Sequence, residues 1–149
     1  MIIGVKPSSH INQLLLSAFL LALFLIFRNA GLYSTVFADE YLYSKLSRLL
    51  PLSDSTVPGY LYLKLYSITN YCGDGFLGCT KLINAALFAL AIPFIYLTAK
   101  SIATSGASIV VTLLAVIGPI NTYTAYFMPE SFYFCNYSAS LASFPVFGK

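Results

Sequence analysis

Three long runs without a charged residue constrain this chain more than any other feature of its sequence. Residues 11–27, 82–99 and 107–127 contain no Asp, Glu, Lys or Arg. About twenty predominantly apolar residues cross a bilayer as a helix, and the first run reaches that length if it extends to residue 30. Only 9% of the chain is charged and 58% is hydrophobic, whereas a soluble domain carries about 25% charged residues. The sequence therefore predicts an integral membrane protein.

The predicted spans are 11–30, 82–99 and 107–127 in a single all-α membrane domain over 1–149. An uncharged, aromatic-rich stretch from residue 131 favours a fourth helix or a re-entrant segment, which gives three to four transmembrane helices. A cleaved signal peptide shares the pattern of the first run, with Lys6 before a Leu/Phe core. Arg28 and Asn29 follow that core directly and suit no cleavage site, so we expect a retained helix.

The long loop, residues 31–81, is not apolar enough to span but contains two candidate interfacial helices. The first has one apolar face, closes at Pro51 and has the pattern of a helix lying along the membrane surface. That face consists of Leu42, Leu46, Leu49 and Leu50. In the second segment, 58–70, Leu61, Leu65 and Ile68 fit a helix, while Leu61, Leu63 and Leu65 alternate as in a strand. In a membrane context we expect the helix.

The acidic residues are placed asymmetrically. If three helices span, the long loop and the segment after residue 127 share one side of the membrane, and every acid of the chain lies there. These acids are Asp39, Glu40, Asp54, Asp74 and Glu130. A carboxylate that is partly desolvated at a membrane surface can serve as a general base. Alternatively, Asp39 is the N-cap of a helix starting at Glu40 or Tyr41.

Charge and cysteine content exclude several functions. The formal net charge is only +3 and no basic block is present, so nucleic acid is not an expected partner. The positive-inside rule leaves orientation open, because the long, structured loop holds most of the basic residues. Cys72, Cys79 and Cys135 match no metal-binding spacing. Cys72 and Cys79 form a disulfide in an oxidising compartment or remain unpaired thiols otherwise.

The residues around the acids resemble the GT-C superfamily of membrane glycosyltransferases, in particular the protein mannosyltransferase and aminoarabinose transferase type. In those enzymes a first membrane helix leads into a large extracytoplasmic loop that opens with an Asp-Glu pair, and an acid follows the third span. The resemblance covers about residues 11–140. It rests on the segments FADEY at 37–41, DEYLYSKLSRLLP at 39–51, GYLYLKLYS at 59–67 and TAYFMPESFYF at 124–134.

This resemblance implies a glycosyltransferase that takes a sugar from a polyprenyl-phosphate carrier and passes it to a lipid, glycan or protein acceptor. It implies that Asp39 is the catalytic base, with Glu40 and Glu130 as supporting carboxylates that position the acceptor or hold a divalent metal. Lys45, Arg48 and Lys64 would bind the carrier phosphate, or remain solvated surface charges. The acidic loop would face the outside of a cell inner (plasma) membrane.

Members of that superfamily have more spans, so the resemblance also implies an N-terminal fragment that is inactive alone. The alternative is a small non-enzymatic accessory or assembly protein, in which the acids are caps and surface charges. A transporter fragment is disfavoured, because such proteins place ionisable residues inside their spans and the predicted runs hold none.

Overall fold

A computed structural model describes residues 9–32, 37–56 and 59–143 of the protein. Within these ranges the chain is all-helical, which confirms the predicted class. The α-helices are α1 (Ser9–Ala30), α2 (Ala38–Arg48), α3 (Tyr60–Tyr66), α4 (Phe76–Ile102), α5 (Ser105–Ile117) and α6 (Glu130–Ser143). Short 3-10 helices cover Leu52–Asp54, Ser67–Gly75 and Pro119–Ala125. Lys6, and the end of the predicted fourth helix beyond residue 143, lie outside the described residues.

Among the described residues, two helical stretches are long and apolar enough to cross a membrane, Asn12–Ala30 and Tyr60–Ile102. A third crossing exists if Ser105–Ile117 and Pro119–Ala125, which meet at a bend of 47°, form one broken span. The bend falls at Gly118-Pro119, where proline lacks the N–H that would continue the helix. The first two predicted spans are therefore supported, with α4 longer at both ends than 82–99, and the third is supported in this bent form.

The helix α4 lies at the centre of the molecule and contacts α1, α5 and α6. Buried apolar side chains from these helices form the membrane-depth core: Leu25, Ala85, Phe88, Ile92 and Val116. Phe88 of α4 stacks on Phe134 of α6 with ring centroids 4.8 Å apart. The helix α1 packs less closely than α4, since only 11% of the residues in its spanning window are buried inside the protein. Its outward leucines and phenylalanines suit contact with lipid rather than water.

The end of α1 is tied to the rest of the molecule by polar groups. The Arg28 guanidinium donates to Asn121 Oδ1 at 2.6 Å, to Asn121 O at 2.9 Å and to Thr124 Oγ1 at 2.9 Å. The Lys81 ammonium donates to the carbonyls of Asn29 at 3.0 Å and Leu32 at 3.1 Å. The Asn29 carbonyl also accepts a hydrogen bond from the Leu32 N–H at 3.2 Å, so Lys81 adds to the partners that satisfy the carbonyls at this helix end. The end of α1, the start of α4 and the Pro119–Ala125 segment therefore meet at one end of the bundle.

The segment 58–70 is helical at α3, as expected, but its buried face differs from the one suggested by its leucine spacing. Leu61 and Ile68 are exposed, whereas Tyr62, Leu63 and Tyr66 are fully buried. The tyrosine rings pack against Phe127 and Phe132, with centroids 5.5 Å apart for Tyr66–Phe127 and 6.1 Å for Tyr62–Phe132. Aromatic rings bury more area than leucine, so they occupy the interior.

Candidate functional site

Three of the acids, Asp39, Glu40 and Glu130, lie where α2 meets the segment leading into α6. Glu40 connects these two elements. Glu40 is buried, with 1% of its surface exposed. Its Oε2 accepts a hydrogen bond from the Phe37 N–H at 2.8 Å, and its Oε1 accepts one from the Phe127 N–H at 2.5 Å. The first bond closes the N-terminus of α2 in the manner of a capping box. The second joins α2 to a residue 87 positions away.

Asp39 is not the N-cap of this helix. The N-cap position belongs to Phe37 and α2 starts at Ala38, so Asp39 already lies in the first helical turn. Its side chain is exposed, and none of the cap hydrogen bonds of α2 is made by it. The cap interpretation of Asp39 is therefore wrong, and its carboxylate is available for contact with another molecule.

Glu130 begins α6 and lies near Asp39. Burial, and then the negative charge of Asp39, raise the pKa of the Glu130 carboxyl above its ordinary value, against an opposing backbone hydrogen bond. Burial, followed by the charges of Glu130 and Asp39, likewise raises the pKa of the Tyr43 phenol. Asp39, Tyr43 and Glu130 thus form one electrostatic cluster at the end of the bundle. Two carboxyls in different environments are a common arrangement for acid–base chemistry.

Several buried polar atoms beside this cluster have no hydrogen-bond partner among the described residues. They are Glu130 Oε2, Tyr62 Oη and Ser131 Oγ. Buried polar groups are nearly always paired, because an unpaired one costs about 1–3 kcal/mol. Groups left without partners in a folded protein therefore indicate where a ligand or ordered water binds.

Gly59 allows the start of α3 to lie close to Tyr133 of α6. Its φ is +132°, a conformation that residues with a side chain rarely adopt. A Cβ atom at this position would lie 2.9 Å from the Tyr133 hydroxyl. Glycine is therefore required here both by its backbone conformation and by the space that Tyr133 occupies.

Replacing Glu130 by glutamine is expected to stabilise the fold at neutral pH. A carboxyl whose pKa is raised on folding binds its proton more tightly in the folded state, so its ionisation opposes folding. This cost is absent below about pH 4, where the carboxyl is protonated in both states, and develops as the pH rises. Because Glu130 is half-buried, we expect a gain of about 1 kcal/mol or less at pH 7.

Unfolding of detergent-solubilised Glu130→Gln and wild-type protein, followed at pH 3 and pH 7, measures this difference. The exposed Asp74 supplies the matched control, since Asp74→Asn removes a charge from the same side of the predicted membrane. A Glu130→Gln protein that is less stable than wild type at pH 7 would contradict the assigned electrostatics.

The predicted cations divide into two places. Lys45 and Arg48 line one cavity of about 200 Å³ beside α2. Lys64 lies exposed on α3 and is not part of that lining. Arg48 is held in position by Phe76, whose ring centroid lies 3.6 Å from the guanidinium carbon. The binding of a carrier phosphate by these three residues stays a prediction, and only two of them lie together.

The site offers few protein ligands for a metal ion. Within residues 9–32, 37–56 and 59–143, no three His, Cys, Asp or Glu side chains converge in a way that could hold one. Asp39 and Glu130 could supply two carboxylates, which leaves most positions around a divalent cation to water or substrate.

The tyrosines of this site could not be identified from the sequence, because Tyr43, Tyr62 and Tyr133 look like ordinary residues of a membrane border. The one local feature is Gly59, three residues before Tyr62, whose Cα lies close to the Tyr133 hydroxyl in the structure. A fold alone does not establish a function, and known proteins supply no guide here. Searches with this chain against protein-family models, curated proteins and solved structures found no significant match.

Proposed function

We propose that this chain carries the acceptor-activating site of a membrane glycosyltransferase that uses polyprenyl-phosphate-linked sugars. The observation that carries the proposal is the convergence of exposed Asp39 with half-buried Glu130 at the end of an apolar helical bundle. The unpartnered hydroxyl of Tyr62 and the unpartnered oxygen of Glu130 support it, since both suit a ligand rich in hydroxyl groups.

In this mechanism Asp39 accepts the proton of an acceptor hydroxyl. The acceptor oxygen forms a bond to the anomeric carbon of the sugar as the bond from that carbon to the carrier phosphate oxygen breaks. The electron pair leaves with the phosphate, and Asp39 later releases its proton to solvent. Glu130, whose pKa is raised by burial, lies beside Asp39 and can orient the acceptor through a hydrogen bond from the acceptor hydroxyl. Glu40 acts as a positioning residue, because both its oxygens already accept backbone hydrogen bonds.

We also propose that the acidic side of the bundle faces out of the cytoplasm. Cys72 and Cys79 are joined by a disulfide, with Cα atoms 6.6 Å apart, while Cys135 is free. Disulfides persist in oxidising compartments and are rare in the cytosol. Cys79 lies in the first turn of α4, at the end that contacts the end of α1. The disulfide and the acidic cluster therefore belong to the same side.

Thiol labelling of intact cells tests this orientation. We expect a membrane-impermeant maleimide to leave Cys72 and Cys79 unmodified until an impermeant reductant is added, and to label both afterwards. A Cys72→Ser/Cys79→Ser protein is the control for labelling of Cys135. Free thiols that react only after the cells are permeabilised would place this loop in the cytoplasm and refute the orientation.

Sugar transfer tests the proposed function. In membranes of the source organism we expect Asp39→Asn to reduce incorporation of labelled sugar from polyprenyl-phosphate donors by at least about a hundredfold, because the base is removed. The carboxylate-to-amide change at exposed Asp74 serves as the matched control and should leave transfer unchanged. Normal transfer by a folded Asp39→Asn protein would refute Asp39 as the base and favour a non-enzymatic accessory role.

A further inference from the structure

The outward face of α6 is polar, although this helix packs along an apolar bundle. Phe134 of α6 stacks on Phe88 of the spanning helix α4, and Leu141 lines a small cavity together with Ile102 at the end of α4. The helix α6 therefore runs alongside α4 at membrane depth. Its other side carries polar residues at positions i, i+3, i+7 and i+10, which share one helix face. These residues are Glu130, Tyr133, Tyr137 and Ser140.

These side chains have hydrogen-bonding groups that the protein does not use. Within the described part of the chain, Glu130 Oε2 is buried without a hydrogen-bond partner. In the same ranges the hydroxyls of Tyr133, Tyr137 and Ser140 form no hydrogen bond. The neighbouring Asn136 donates its Nδ2 to a backbone carbonyl one turn earlier at 2.8 Å, and its Oδ1 remains available. Polar groups that face lipid without partners are costly, so this face does not suit acyl chains.

A groove of about 560 Å³ follows this face of α6. Its volume lies within the range of about 300–1,000 Å³ that ligand sites occupy. The lining combines the polar residues of α6 with Ile120 and Pro129. Glu130 lies in this lining, so the groove is continuous with the pair formed by Asp39 and Glu130. From Glu130 to Ser140 the helix rises about 15 Å, so the groove suits an extended ligand.

The chemistry of the lining narrows the class of ligand. Among the described residues that line the groove, Glu130 is the one with a charge, which disfavours phosphate and other anions. A closely packed membrane helix is disfavoured as well, because such contacts use small residues, whereas Tyr137 is 67% and Tyr133 is 48% exposed here. Exposed aromatic rings beside carboxylate, amide and hydroxyl groups suit a sugar, whose ring has an apolar C–H face and a rim of hydroxyls.

We propose that this groove binds a neutral oligosaccharide. The C–H face of one sugar unit packs on the Tyr137 ring, and hydroxyls of the chain bond Asn136 Oδ1, Ser140 Oγ and Glu130 Oε2. With the function proposed above, the oligosaccharide is the acceptor and its end lies beside Asp39. That role rests on the proposed function, whereas binding of the oligosaccharide does not.

Sugar binding to the full chain in phosphatidylcholine nanodiscs tests the proposal. The probes are neutral tetrasaccharides of glucose, mannose or galactose, and saturation-transfer NMR measures their binding. We expect at least one of them to bind wild type, and Tyr137→Ala to weaken that binding about tenfold, because the stacking surface is lost. Tyr71→Ala is the matched control and should leave binding unchanged, since Tyr71 is 92% exposed and lies outside the groove. No binding of any tetrasaccharide, or an equal loss in both variants, would overturn the proposal.

Thiol accessibility distinguishes an open groove from a face that lipid or another helix covers. In a Cys135→Ser background, we expect a water-soluble thiosulfonate reagent to modify Ser140→Cys, and the bound tetrasaccharide to slow this reaction. Val110→Cys, on the exposed apolar side of α5, should stay unmodified because lipid covers it. A Ser140→Cys thiol as unreactive as Val110→Cys would overturn the proposal in favour of lipid or a partner helix.

This proposal and the proposed function fail separately. Tetrasaccharide binding together with normal sugar transfer by a folded Asp39→Asn protein supports the groove and refutes Asp39 as the base. Sugar transfer that requires Asp39, without binding of any tetrasaccharide, refutes the oligosaccharide groove alone.

Discussion

Replacing Glu40 by alanine is expected to lower the free energy of unfolding by about 3 kcal/mol, within a range of about 2–5 kcal/mol. The substitution leaves the Phe127 N–H buried without an acceptor, and this bond is the direct hydrogen bond between α2 and the segment before α6. The N–H of Phe37 loses less, because Phe37 is 54% exposed and water can replace the carboxylate there. Chemical unfolding in detergent measures the difference.

The Glu40→Gln variant removes the negative charge and one hydrogen-bond acceptor while keeping the size of the side chain. Its side-chain oxygen can accept one of the two N–H donors, but its amide nitrogen then faces the other donor. We expect Glu40→Gln to be destabilised clearly less than Glu40→Ala, because its oxygen can keep the buried Phe127 bond while its amide nitrogen faces the more exposed Phe37 N–H. A Glu40→Gln protein as stable as wild type would show that the two backbone bonds contribute little.

Arg28→Met is expected to cost about 3 kcal/mol and to loosen the attachment of α1. Methionine keeps much of the aliphatic volume but provides no donors, so each acceptor around it loses a hydrogen bond, although Thr124 Oγ1 keeps the Asn29 amide and Asn121 O keeps the Thr124 hydroxyl. These acceptors are Asn29 Oδ1, Asn121 Oδ1, Asn121 O and Thr124 Oγ1. Asn29 and Thr124 are fully buried, so water does not readily replace the guanidinium there.

Arg28→Lys is the informative companion to this variant. Lysine retains the positive charge but lacks the planar fork that reaches Asn29, Asn121 and Thr124 together. We expect it to recover less than half of the lost stability. Ser17→Ala, at an exposed position of the same helix, removes a hydroxyl that bonds only Gln13 O at 2.9 Å, so it should change little. Equal stability of Arg28→Met and wild type would refute a structural role for this network.

The membrane class and the helical bundle could be predicted because they depend on local patterns. Uncharged runs of spanning length predicted α1 and α4. The orientation of α3 could not be predicted, because its leucines and tyrosines both recur at helical spacing. Its interior face was decided by rings elsewhere in the chain, Phe127 and Phe132.

For the candidate site, too, one part could be predicted from the sequence and another could not. The position of Asp39, Glu40 and Glu130 on one side followed from the predicted number of crossings, and the described structure brings all three to one end of the bundle. Their different environments did not follow from the sequence. Glu40 is buried because a backbone N–H 87 residues later happens to face it. No pattern within residues 37–41 distinguishes the buried acid from its exposed neighbour.

The hydrogen bond between Glu40 and Phe127 connects the two segments that hold the Asp39 and Glu130 carboxyl groups. Asp39 precedes Glu40 directly and Glu130 follows Phe127 by three residues, so each acid is only a short stretch of backbone from an anchored atom. Sliding of the membrane helices relative to one another would therefore carry both carboxyl groups together. We therefore expect the distance between the two carboxyl groups to depend on this bond and to vary more in Glu40→Ala.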